Sequence, residues 1–336
     1  MLGFAAACAL AGCLAGPETS APPEVPFAGD GGDVPAMPVI PAGWPAARWP
    51  ADNPYTPAKA LLGRRLFFDP QLSPNGTVSC EWCHAPSAAF TDIHNSGFGI
   101  GVFSQPIPRT PPTLINLVFA SVLMFEGNVS TLEEQVLLPL FAPNEMGMSG
   151  PLVESRLAED TVYVRLFRQA YGPGPIRVDG VARALATYLR TLVSARTDYD
   201  RWKAGEADAL SPAAKAGEAL FMGKARCFRC HAPPLFTDGD FHNIGLDSVP
   251  KDRGRALHTG LPADEGRLKT PTLRNIPRTG PYMHDGRFGD IETVLAHYNA
   301  GGSPGAVNAD SLIVPLGLSG RELYELAEFL RTLRDP

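Results

Sequence analysis

The chain has 336 residues, of which 44% are hydrophobic and 19% charged, a globular composition and not a disordered one. Its formal net charge of -6 leaves no basic field for nucleic acid or anionic lipid, which argues against both as partners. That length holds two packed domains or one large one.

The N-terminal stretch MLGFAAACALAGCLAG is apolar, rich in small residues and too short to span a membrane. Residues 1–12 read as an export signal. LAGC, Leu10 to Cys13, has the form of a bacterial lipobox, so a lipid anchor at Cys13, in the outer membrane, and a periplasmic location are expected; a plain secretory leader is the simpler alternative. No basic stretch precedes the apolar core, which leaves the true start of the signal open. Residues 13–55 are rich in Pro, Ala and Gly and read as a tether.

Folded structure is expected from Thr56, where TPAKALLGRRLFF carries helical apolar spacing. STLEEQVLLPLF follows with a capping box predicted from Ser130 to Glu133. RLAEDTVYVRLFRQAYG and VARALATYLRTLVSART are amphipathic at the helical period. A hinge is expected over 198–212, then a helix capped by Ser211 with Pro212 at its first position. In DIETVLAHYNAGG, Asp290 caps a helix that Gly301 ends, and Ile291, Leu295 and Tyr298 share its inward stripe. SGRELYELAEFLRTL has a second capping box, Ser319 to Glu322. Strand-like alternation is scarce, and the fold class is mostly α with long irregular loops.

Six cysteines are present, and two of them fall in the leader. The other four form CEWCH (Cys80, Cys83, His84) and CFRCH (Cys227, Cys230, His231). C-x-x-C-H is the attachment signature of c-type haem. Two thiols on one helical turn meet the haem vinyls as thioethers, and the next histidine lands under the iron. A thioredoxin-like pair or half a zinc site would leave unexplained why every mature cysteine sits in such a motif. Two covalently attached haem c groups are therefore predicted. They sit in two cytochrome c-like domains, 56–205 and 206–336, that look like a tandem duplication.

Around these motifs stand RTPPTLINLVF, FAPNEMGM, GRLKTPTLRNIPRTGPYMHDGRF and ETVLAHYNAGG. In this order the chain resembles the bacterial di-haem cytochrome c peroxidases and their MauG-like relatives, over roughly residues 56–334. The resemblance implies that the His84 haem binds hydrogen peroxide and the His231 haem relays electrons. The loop SGFGIG places Phe98 or Val102 where activated peroxidases carry a distal histidine, and His94 sits several residues too early, so the distal site is expected to be open. Glu145 matches the family's distal glutamate, with Gln135 and Pro139 as pocket partners. Tyr298 matches the second iron's sixth ligand, methionine in conventional peroxidases and tyrosine in the MauG-like branch; Met283 and Met222 are rival ligands. The carbonyls of Thr279 and Pro281, with Thr110 in place of an asparagine, match a calcium site between the haems. Two departures stand out: Phe125 replaces the tryptophan between the haems, and Ala225 replaces the exit tryptophan before the second motif, leaving Trp202 as a substitute.

The resemblance thus implies a peroxide-driven oxidase that holds a high-valent Fe(IV) state across both haems. It would oxidise tryptophan in a periplasmic partner protein, of which a copper-binding one is a candidate. A peroxide-detoxifying cytochrome c peroxidase fed by a small electron carrier, and a non-catalytic di-haem electron-transfer protein, are the alternatives.

Overall fold

Thr56 closes an extended stretch and opens α1 (Pro57–Phe67). Its hydroxyl accepts from the Lys59 N–H, and Pro57 takes a position where no donor is needed. The computed structural model describes residues 34–92, 94 and 99–336; the export signal, Cys13 and Phe98 lie outside them. After α1 come α2 (Cys80–Cys83), α3 (Leu132–Gln135), α4 (Leu137–Phe141), α5 (Gly150–Glu159), α6 (Thr161–Tyr171) and α7 (Val178–Thr191). The chain continues through α8 (Asp198–Lys203), α9 (Pro212–Met222), α10 (Ala256–Thr259), α11 (Ile291–Ala300) and α12 (Gly320–Arg331). Two antiparallel pairs of two-residue strands complete the described elements: β1 (Gly99–Ile100) with β2 (Pro106–Ile107), and β3 (Phe241–His242) with β4 (Leu268–Lys269). The fold is mostly α.

Two apolar cores form within residues 34–336, which make one compact unit. The first gathers Leu62, Leu66, Phe67, Val153, Leu157, Leu185 and Leu189. The second gathers Phe221, Phe236, Leu295, Leu326, Phe329 and Leu330. Each is built on one close helix crossing, α1 on α7 and α9 on α12. Gly63 permits the first: a Cβ there would lie 1.9 Å from the Ala184 carbonyl oxygen. Gly217 permits the second, where a Cβ would lie 1.9 Å from the Glu325 carbonyl oxygen.

The halves repeat in detail beyond these crossings. Asn116 and Asn275 both adopt left-handed backbone before a single 3-10 turn. Met124 and Met283 share positive φ, and the bridge Leu123 to Val129 recurs as Tyr282 to Phe288.

Most predicted caps hold. Ser211, Asp290 and Ser319 accept from Ala214, Thr293 and Glu322 N–H groups, and Gly301 closes α11 in left-handed conformation. The box expected at Ser130 and Glu133 is corrected: Thr131 caps α3 by accepting from Glu134 N–H at 3.2 Å. Glu133 is engaged elsewhere, accepting from Arg190 at 2.6 and 2.8 Å and from Asn53 at 2.7 Å. The expected hinge at 198–212 contains α8, boxed by Thr197 and Asp200. The Asp200 carboxylate is held by both terminal nitrogens of buried Arg274 at 2.8 Å.

The tether reading runs too far. Residues 34–55 lie against the helices because their aromatic side chains find partners. Trp44 packs on Phe119 at 5.6 Å with the Arg274 guanidinium 4.4 Å from its ring. Trp49 packs on Tyr55, and buried Asn53 accepts from Lys59 Nζ at 2.8 Å. No helix among the described residues is long and apolar enough to cross a membrane.

Candidate haem sites

The two C-x-x-C-H segments are folded alike. The His84 N–H donates to the Cys80 carbonyl at 2.9 Å, and His231 repeats this to Cys227 at 2.9 Å. Each thus sits one tight turn after its first cysteine. His84 Nδ1 lies 3.0 Å from the Phe90 carbonyl, and His231 Nδ1 lies 3.0 Å from the Phe236 carbonyl. A carbonyl only accepts, so Nδ1 carries the proton and Nε2 keeps its lone pair for a metal.

Burial lowers the pKa of both imidazoles, which favours the neutral, ligating form. Burial also pushes the thiols of Cys80, Cys83 and Cys227 up to about 12. Yet all four cysteines are unpaired and only half-covered by protein. Cys80, Cys83 and Cys227 are thus desolvated by surrounding protein yet keep some accessible surface. Free thiols paired one turn apart, beside an oriented imidazole, fit a covalently held haem at each motif.

At the first site, Glu145 is half-buried, and desolvation lifts its carboxyl above the usual carboxylate range. Its charge and that of Asp92 both bear on Cys83, which brings Glu145 to the first motif. The Val102 N–H donates to the Glu145 carbonyl at 2.7 Å, and the Met146 N–H to the Pro139 carbonyl at 3.1 Å. The 99–102 segment and α4 therefore hold the glutamate loop from two sides. Gln135 points its amide at Met124 Sδ, 3.8 Å away. Val102 is fully buried in the first core. His94 Nδ1 lies 2.6 Å from Asp92 Oδ1, with the His94 ring against Trp82 at 4.5 Å.

At the second site, Ile291 and Leu295 are buried as expected, whereas Tyr298 is half-covered. Burial raises its phenol pKa well above normal, and Cys227 and Cys230 add to that rise, which puts the phenol near the second motif. Among the described residues nothing hydrogen-bonds its hydroxyl, whereas Tyr163, Tyr171 and Tyr282 bond theirs to Asp69, Gly180 and Ile276. Met222 is 39% exposed on α9, facing away from such a role. Met283 lies in the bridged loop between Tyr282 and Phe288.

Between the cores, the Arg109 guanidinium stacks 5.2 Å from the Phe125 ring and pairs with Asp252 at 2.7 and 2.8 Å and with Glu126. The Lys269 N–H donates to the Phe125 carbonyl at 2.9 Å, which seats Phe125 at the junction. Thr110 is buried, and its N–H donates to the His284 carbonyl at 2.8 Å, tying its loop to the one that follows Thr279 and Pro281. Ala225 is buried beside Cys227, and Trp202 packs on the same core.

Sequence reasoning missed His242, which links Asp238 at 3.0 Å to Asp310 at 2.6 Å. Its ligand atoms and those of Cys230 and Asp238 lie within 4.8 Å of one another. In isolation that is a metal-site geometry; a thioether at Cys230 removes that sulfur as a free donor. The only local signal was a histidine eleven residues after the motif, with its partners dispersed.

Two oriented imidazoles, each beside a free thiol pair, on two copies of one helical arrangement define a di-haem c-type oxidoreductase. A family profile described as di-haem cytochrome c peroxidase matches residues 57–208. The methylamine utilization protein MauG of Methylorubrum extorquens is 42% identical over 287 residues, 85% of this chain and 80% of that one. Cytochrome-c peroxidase IdrP1 of Denitromonas iodatirespirans is 34% identical, over 99% of this chain and 91% of its own. A crystal structure of a MauG-like protein associated with microbial copper homeostasis superposes with a TM-score of 0.82 at 34% identity, over 88% of this chain and 95% of that one. The chain belongs to the di-haem cytochrome c peroxidase and MauG family. It is a haem-dependent oxidoreductase, and the family implies two c-type haems.

Proposed function

We propose that this protein is a MauG-like oxidase that uses hydrogen peroxide to oxidise tryptophan in a periplasmic partner protein. The supporting observation is Tyr298: a phenol near Cys227 and Cys230, on the inward side of α11, with no hydrogen-bond partner among the described residues. A conventional peroxidase would present methionine there. A copper-binding partner is favoured by the likeness to a protein associated with copper homeostasis.

When bound, the haem irons accept the oxidising equivalents of peroxide. The chain supplies the rest. His84 and His231 each offer Nε2 while a backbone carbonyl fixes Nδ1. Glu145 takes the proton from one peroxide oxygen and returns it to the departing one, which leaves as water; a carboxyl with raised pKa suits both transfers. Gln135 and Pro139 shape the pocket around that exchange. Tyr298 offers a phenolate oxygen, a hard anionic donor that favours a higher metal charge. Burial alone would keep the phenol neutral, and a metal cation reverses that preference. Calcium, held by the carbonyls of Thr279 and Pro281 near Thr110, and lipidation at Cys13 complete the proposal.

The test is addition of stoichiometric peroxide to the fully oxidised holoprotein without prior reduction. Rapid loss of the high-spin signal and a long-lived oxidised species are expected. A protein that reacts only after half-reduction would be a conventional peroxidase, as the name of the IdrP1 relative suggests; one that never reacts would be an electron carrier.

A further inference from the structure

We infer that Trp82 is the residue through which electrons pass between the protein surface and the first haem site. The inference rests on the peroxide-driven reading above. Trp82 lies between the two cysteines of the first motif and is 40% exposed. Its indole N–H donates to the Ile100 carbonyl at 2.8 Å, and the Cys83 sulfur approaches the same oxygen at 3.8 Å. A surface-accessible ring and the Cys83 sulfur thus both lie against the Ile100 carbonyl, on the segment whose Val102 N–H holds the Glu145 carbonyl.

The electrostatics single out the same residue. The chain has four tryptophans. Trp44 has the Arg274 guanidinium 4.4 Å from its ring, Trp49 has Arg190 at 6.0 Å, and Trp202 has Lys203 Nζ at 4.3 Å. A cation over a ring stabilises its electrons, and removing one there sets two positive charges side by side. These cations are ion-paired, but their positive ends face the rings. Among the described residues Trp82 has no such cation. It packs on His94, which is bound to Asp92, and the second Asp92 oxygen is buried without a hydrogen-bond partner. A positive charge created on Trp82 therefore forms beside an imidazole whose own partner is a carboxylate. Trp82 gives one electron to the oxidised first site, keeps its N–H on Ile100, and takes one electron back from the partner. Two such transfers, with two protons from solvent, account for one peroxide becoming two waters.

The test treats the holoprotein with stoichiometric peroxide in the absence of a partner. Peptide mass spectrometry should find oxygen added at Trp82 several-fold ahead of Trp44, Trp49 and Trp202, and cyanide on the haems should abolish the addition. Freeze-quenched samples should give a tryptophan radical signal in the wild type that is missing in Trp82→Phe. Peroxide consumption with Trp82 unmodified, or with Trp202 or Trp44 oxidised first, would overturn the inference and leave the proposed function standing. Failure to consume peroxide would remove both.

Discussion

Tyr298 and Pro139 occupy the same position in the two halves of the chain. The paired markers Asn116 and Asn275, Met124 and Met283, and the helix caps Thr131 and Asp290 recur at one constant offset, and at that offset Tyr298 falls on Pro139. The repeat thus carries a phenol at this position in the second half and an inert pyrrolidine ring in the first. Under the proposed function, this pair is what distinguishes a closed iron from an open one.

Replacing Tyr298 by Phe is therefore expected to change the absorption spectrum and potential of the second haem alone. Resolved potentiometric titration checks this, and unchanged signals from both haems would return Tyr298 to the role of packing.

The reciprocal change, Pro139→Met, should place a donor over the first haem. Electron paramagnetic resonance should then show loss of the high-spin species, with slower reaction toward peroxide. A retained high-spin signal would show that the two positions are not equivalent.

Glu145→Gln should slow reaction with peroxide by about 10²–10⁴-fold, the usual worth of one positioned proton shuttle. Stopped-flow absorption measures it. The glutamate carries a stability consequence too. Its folded pKa is raised by burial, so its favourable contribution is complete below the unfolded value near ~4.3 and is lost as pH rises through the folded value. The glutamine variant should melt higher than wild type at neutral pH and match it in acid.

Asp200→Ala strands the fully buried Arg274 guanidinium and should cost about 3–5 kcal/mol in denaturant unfolding. Burial alone would raise the Asp200 pKa, but Arg274 and Thr197 outweigh it and hold it below the usual range. This contribution is present above the unfolded pKa and fades as pH falls through the folded one, so wild type and variant should converge in acid. Equal stability at neutral pH would show that Arg274 finds another partner.

Gly217→Ala forces a methyl group against the Glu325 carbonyl across the α9 and α12 crossing. A loss of about 1–3 kcal/mol is expected from such overpacking. Thermal unfolding would detect it, and a matching loss at Gly63→Ala would show that both halves depend on the same close approach.

Local chemistry was readable directly. The cysteine pairs with their histidines, the caps at Ser211, Asp290 and Ser319, and the inward stripe of α11 each depend on neighbours within about two helical turns, where covalent geometry dictates what can meet. The Ser130 box was misread because Glu133 has a stronger partner in Arg190, 57 residues further on. The 34–55 segment was misread because its composition is tether-like while Trp44 and Asn53 find partners far along the chain.

The amino-acid sequence by itself determined two haem-attachment motifs, a mostly α fold and a duplicated plan, because each is written in short-range spacing. Only the tertiary structure decided which cations cover Trp44 and Trp49, that no described cation lies over Trp82, and that Tyr298 comes near a motif distant in sequence. Those are contacts between segments far apart in the chain, set by burial and close approach, and no local pattern encodes them.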